Sequence, residues 1–128
     1  MGNQNLRIGK SMENLSEYCA PGTRIKEEMI AVSESVSLRV ITFIPKEETN
    51  NPAVLFIAGW ISLIKGWKFV LKEMTKDFPV FYVETREKIS SRVKGKVDYG
   101  VEEIGQDILA LISHLNLNTA NIFYLAVH

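Results

Sequence analysis

The sequence predicts an α/β fold: a mostly parallel sheet with helices between its strands, preceded by an antiparallel hairpin. Two continuous apolar runs, Ala53–Ala58 and Val80–Val83, have the length and composition of strands covered on both faces, and Asn121–Val127 is a third. Between these runs lie two stretches with apolar residues at helical spacing. Strand and helix therefore alternate after residue 50, which calls for parallel pairing through crossovers.

Residues 1–23 are polar and without sustained periodicity, and close on the turn signal Pro21-Gly22. They are expected to form a flexible lead-in with one helical turn near Met12–Tyr18, leaving 24–128 as the domain. Ile25–Val32 and Val36–Ile44 read as strands. In the second, Val36, Leu38, Val40, Thr42 and Ile44 alternate with Ser37, Arg39, Ile41 and Phe43, predicting one face better buried than the other. The link Ser33-Glu34-Ser35 is short enough for a hairpin, although it lacks an Asn-Gly turn. Pro45 ends the strand. Gly59 breaks the next one, and Trp67, Val70, Leu71 and Met74 then recur at helical spacing.

Thr85–Asp98 is a polar connection. Its basic residues Arg86, Lys88, Arg92, Lys94 and Lys96 read as a solvated loop rather than a phosphate-binding surface. A helix is predicted over Val101–Leu115, with Val101, Ile104, Ile108, Leu111, Ile112 and Leu115 as its apolar stripe. Glu102, Glu103, Gln106 and Asp107 are expected to face water, and the first two complement the helix dipole. The strand at 121–127 is apolar and uncharged. At an open sheet edge it invites pairing with another chain, so self-association is expected.

A chain of 128 residues is long enough for one core and short for two. Fifteen basic side chains balance fifteen acidic ones, so no net field draws nucleic acid or an anionic membrane, and neither is expected as a partner. Cys19 stands alone, which excludes an intrachain disulfide; with only His114 and His128 beside it, a His/Cys zinc site is not expected, and no cofactor is. Cys19 lacks a nearby base and is no nucleophile. The Met-Gly start has Leu6 where a myristoylation signal needs Ser or Thr. There is no apolar leader and no run long enough to span a bilayer, so a cytoplasmic location is the expectation.

In sheets of this kind ligands bind beyond the carboxyl ends of the strands, here Ala58-Gly59-Trp60, Glu84-Thr85-Arg86 and Ala126-Val127-His128. Gly59 lacks the companions of a dinucleotide fingerprint. A phosphate loop also fails, because Gly59 and Gly66 are too far apart and Lys65 precedes the second glycine. Two readings of Gly59 stay open. It is either a tight strand exit, or the start of a loop whose backbone amides would hold an oxyanion.

The arrangement of residues 24–128 resembles the α/β-hydrolase family. The opening hairpin, the strand ending in Ala58-Gly59-Trp60 and the helix near Trp67 are similar to that family's. So is the strand leading into Glu84-Thr85-Arg86-Glu87-Lys88-Ile89-Ser90, which looks like the family's Asp-x-Arg-Gly-x-Gly-x-Ser segment. The helix containing Ile104-Gly105-Gln106-Asp107-Ile108 and the strand Asn121–Val127 resemble those before the nucleophile turn. Departures are Ala58 for histidine, Glu87 and Ile89 for glycines, and Val127 for the first glycine of Gly-x-Ser-x-Gly.

The resemblance implies a serine hydrolase of esterase or lipase type acting on a small acyl substrate. It implies oxyanion donors at Gly59, Trp60 and Ile61, site lining by Glu84, Arg86 and His128, and a nucleophile directly after His128. On this reading no triad residue lies within 1–128, and the chain alone is expected to be inactive. The departures favour an alternative, a non-catalytic binding or interaction protein of the same fold.

Overall fold

The computed structural model describes residues 14–59, 62–117 and 122–127, the last stretch by its backbone alone. Leu15–Tyr18 form a 3-10 turn, where one helical turn is expected from the sequence. Cys19 and Ala20 after it are buried, and the Ala20 N–H donates to Thr75 Oγ1 at 2.9 Å. This part of the lead-in thus packs on the core. Pro21-Gly22 then reverses the chain: Gly22 takes φ 84°, and the Thr23 N–H donates to the Ala20 carbonyl at 3.2 Å. Such a turn needs a positive φ at its third residue, which glycine adopts without steric cost.

Strands β1 (Arg24–Ala31) and β2 (Val36–Ile44) form the expected antiparallel hairpin, with Ile30 opposite Leu38 and Ile25 opposite Phe43. The link has no Asn-Gly because Ser33 performs the turn chemistry. Its hydroxyl accepts from the Ser35 and Val36 N–H groups at 3.2 and 3.1 Å. Next come β3 (Ala53–Ala58), a 3-10 turn at Ile64–Trp67, helix α1 (Lys68–Met74), and β4 (Val80–Glu84). After β5 (Arg92–Val93) and helix α2 (Val101–His114), β6 (Ile122–Val127) completes the described chain.

Among the described residues the sheet runs β1-β2-β4-β3-β6. Strands β4, β3 and β6 are parallel neighbours, and β2 joins β4 antiparallel. The short β5 falls inside the connection expected to be irregular. It pairs with Val36 and Ser37, beyond the stretch of β2 that β4 covers.

Side-chain parity divides the core into two layers. Val36, Leu38 and Val40 of β2 pack with Leu55, Val83 and the α2 residues Ile108 and Leu111. Ile41 and Phe43 point the other way and pack with Val54, Phe56, Val80, Tyr82 and the α1 residue Leu71. On that side the Phe56 ring meets Trp67 edge-on at 5.4 Å and Tyr82 at 5.3 Å. The expected one-sided burial of β2 is therefore corrected: helical layers cover the sheet on both faces, and β2 is buried on both.

Helix α2 corrects two further expectations. Val101, placed in the apolar stripe, is 87% exposed, so the first turn of α2 stands clear of the sheet. Asp107, expected in water, is buried against Arg86, which accounts for its inward position. The helix ends at Asn116, whose φ of 54° lets the Leu117 N–H reach back to the Ile112 carbonyl at 3.1 Å. No helix among the described residues is long and apolar enough to cross a membrane.

Candidate functional site

The parallel register brings the three strand ends into one row. Ala58 pairs with Glu84 on one side and with Val127 on the other. The described ends of β3, β4 and β6 therefore lie side by side. Of the residues expected there, Trp60, Ile61 and His128 lie outside the described residues.

At the end of β3, the Ser62 N–H donates to the Gly59 carbonyl at 3.1 Å and closes a four-residue turn. The same carbonyl accepts a second, shorter bond of 2.6 Å from the ammonium of Lys88. Lys88 also donates to the Ala58 carbonyl at 3.1 Å and to Glu87 Oε2 at 3.0 Å. The Thr85 hydroxyl donates to Glu87 Oε2 at 2.7 Å. Glu87 Oε1 is buried with no hydrogen-bond partner. Burial pushes the Glu87 carboxyl up, but hydrogen bonds from Thr85 and Lys88 and the lysine charge outweigh it, so the group sits below its ordinary 4.5.

Glu84 is buried at the end of β4. Its Oε1 accepts from the Ser90 hydroxyl at 2.6 Å and from Arg39 Nη1 at 3.3 Å, while Arg39 Nε donates to Glu27 Oε2 at 2.6 Å. The carboxylate thus braces the strand end to β2 and to the loop beyond. Beside it opens a cleft of about 310 Å³, with Arg39, Glu84, Lys88 and Ser90 on its polar side and Leu63 and Ile64 among its apolar residues. A cleft with an apolar wall and a few fixed polar groups suits a small organic ligand.

Arg86 departs from the expected solvated loop. Only 7% exposed, it forks onto Asp107 through Nε–Oδ2 at 2.8 Å and Nη2–Oδ1 at 2.7 Å, and donates from Nη1 to the Asp98 carbonyl at 2.7 Å. The bidentate bond to Asp107 raises the guanidinium further above its ordinary range against the opposing effect of burial. Arg86 therefore ties the loop after β4 to α2. Inside that loop the Ser91 hydroxyl donates to the Arg86 carbonyl at 2.6 Å, and the Lys88 N–H to the Thr85 carbonyl at 2.9 Å.

Sequence reasoning missed Lys88 and Asp107. For Asp107 a signal existed: it lies three residues after Ile104 and four before Leu111, within the buried stripe. For Lys88 there was none, because its partners at Ala58 and Gly59 are 30 and 29 positions away. Cys19 is buried, and that burial pushes its thiol up from its ordinary value. His114 is exposed at the end of α2. Among the described residues no three His, Cys, Asp or Glu side chains converge as metal ligands would.

No family model matches the sequence, and no curated protein matches it. Solved structures do. A protein from Acinetobacter baumannii designated a lipase superposes with a TM-score of 0.66 at 15% identity, over 91% of this chain and 36% of its own. The Cif epoxide hydrolase from Acinetobacter nosocomialis gives 0.64 at 21% identity, over 98% and 41%. An epoxide hydrolase from Vigna radiata gives 0.59 at 19% identity, over 80% and 32%. The chain thus spans about a third to two fifths of the length of these neighbours. At these identities the likeness is one of architecture. The chain has the α/β-hydrolase fold.

Proposed function

We propose that this chain is the front portion of a cytoplasmic hydrolase acting on a small substrate with an ester-type bond, and that it supplies the oxyanion cradle while a nucleophile follows His128. The observation that carries this reading is the pairing of Ala58 with Val127. It makes the chain beyond β6 emerge beside the Gly59 turn, where a nucleophile and an oxyanion cradle must meet around one carbonyl. In this proposal the amides of Trp60 and Ile61 receive the oxyanion. The cleft beside Glu84 and Arg39 would hold the rest of the substrate.

The structural neighbours include one protein designated a lipase and several epoxide hydrolases, so the leaving group is not fixed by the fold. The residue at 129 discriminates: serine or cysteine fits acyl transfer, and aspartate fits opening of an epoxide. The test compares hydrolysis of short-chain p-nitrophenyl esters and of an aryl epoxide by residues 1–128 and by the protein that contains them. Turnover by the longer protein only is expected. Robust turnover by residues 1–128 would sink the proposal.

A non-catalytic binding protein is the second reading. The departures at Ala58, Glu87, Ile89 and Val127 favour it, because they replace the histidine and the glycines of the resembling family's motifs. A residue other than Ser, Cys or Asp at 129 would decide for it.

A further inference from the structure

Lys88 is held in a way that a loop lysine seldom is. Its side chain is 9% exposed, and four oxygens lie within 3.3 Å of the ammonium: the carbonyls of Gly59 and Ala58, Glu87 Oε2 and Thr85 Oγ1. Withdrawing an ammonium from water is unfavourable unless its three N–H groups find acceptors and its charge a partner. Glu87 supplies the countercharge. The Thr85 hydroxyl, with its proton directed to Glu87, is left to accept from Lys88. The two remaining partners are main-chain carbonyls at the point where β3 becomes a turn.

Glycine is the residue whose backbone is least restrained, so the peptide after Gly59 needs an external hold to keep one orientation. We propose that Lys88 is a positioning residue: by holding the Ala58 and Gly59 carbonyls it fixes the main chain where β3 ends and the Ser62 N–H closes back on Gly59. This rests on the reading of that turn as the oxyanion cradle. Glu87, whose place in the resembling family belongs to glycine, is the countercharge that permits a buried lysine there.

The test is amide exchange by NMR on the 128-residue chain, at a concentration low enough to avoid association through β6. The probe is the Ser62 N–H, which donates to the Gly59 carbonyl, with the ladder amides of β3 and β4 as internal references. Lys88→Met is expected to speed Ser62 exchange about tenfold or more relative to the references, and Lys88→Arg to recover a substantial part of the protection. In the unaltered chain the Lys88 ammonium is expected to give its own protected ¹H–¹⁵N signal near neutral pH, a readout that stands even if Lys88→Met does not fold. Exchange that rises equally throughout the sheet, no change at Ser62, or no protected ammonium signal would each overturn the proposal. Turnover enters none of these readouts. A held turn in a protein without hydrolase activity would refute the oxyanion reading and leave the Lys88 hold intact.

Discussion

Arg86 and Asp107 are 21 positions apart, and neither looks structural in the sequence. Arg86 belongs to a basic run that composition assigns to water. Asp107 comes directly after Gln106 on a helix whose first turn carries Glu102 and Glu103. Their burial is decided by each other, since each removes the need for the other to reach solvent, and no local pattern records that. Breaking such a pair leaves one charge buried and unmatched. Asp107→Ala is therefore expected to lower stability by about 3–5 kcal/mol in urea unfolding. The double variant Arg86→Met with Asp107→Leu should regain most of that loss, because it leaves no charge behind. A double variant as unstable as Asp107→Ala would show that the pair's other bonds, such as that to the Asp98 carbonyl, dominate.

Glu87 belongs to the same scale and carries a pH dependence. Burial raises its carboxyl, but the bonds from Thr85 and Lys88 prevail, so its folded-state value is depressed below 4.5. A depressed acid adds stability that is complete above its unfolded value and is lost as pH falls through the folded one. Relative to Glu87→Gln, the unaltered chain should hold a constant advantage above the carboxyl's unfolded value of 4.5 and lose it as pH falls below that value. Denaturant midpoints above and below that value measure it. A difference that stays flat to pH 3 would contradict the assigned direction.

At the scale of elements, most of the fold was legible. Ala53–Ala58 and Val80–Val83 are runs that only a doubly covered strand explains, and the structure extends the second by one residue to Glu84. The hairpin was legible from length and alternation, although the turn residue that closes it, Ser33, works through its hydroxyl rather than through a glycine. Strand β5 was not legible, because two residues carry no periodicity and its pairing with β2 is set by where β4 stops. The alternation in β2 was real but misread, since period two marks opposite faces without telling whether each is covered. Among the described residues β6 has one neighbour, β3, so its other edge presents unpaired backbone groups. Residues 1–128 alone are therefore expected to associate with rising concentration in sedimentation velocity. A clean monomer at high concentration would contradict this.

At the scale of the molecule, two helical layers hold the sheet from both faces, and the row Glu84–Ala58–Val127 collects its carboxyl ends at one place. The meeting of the three strand ends was legible because strand order alone puts them side by side. The interior of the candidate site was not, because the Lys88 hold on Gly59 and the Arg39–Glu84–Ser90 brace join residues from separate stretches of chain. The most direct test is to trap the covalent intermediate in the protein that contains residues 1–128 and to map it by peptide mass spectrometry, using a phosphonate for a serine or cysteine nucleophile and a slow epoxide for an aspartate. The adduct is expected on the residue immediately after His128, with none on residues 1–128. An adduct on Cys19, on Glu84 or at any other place within those 128 residues would contradict a cradle that awaits a downstream nucleophile.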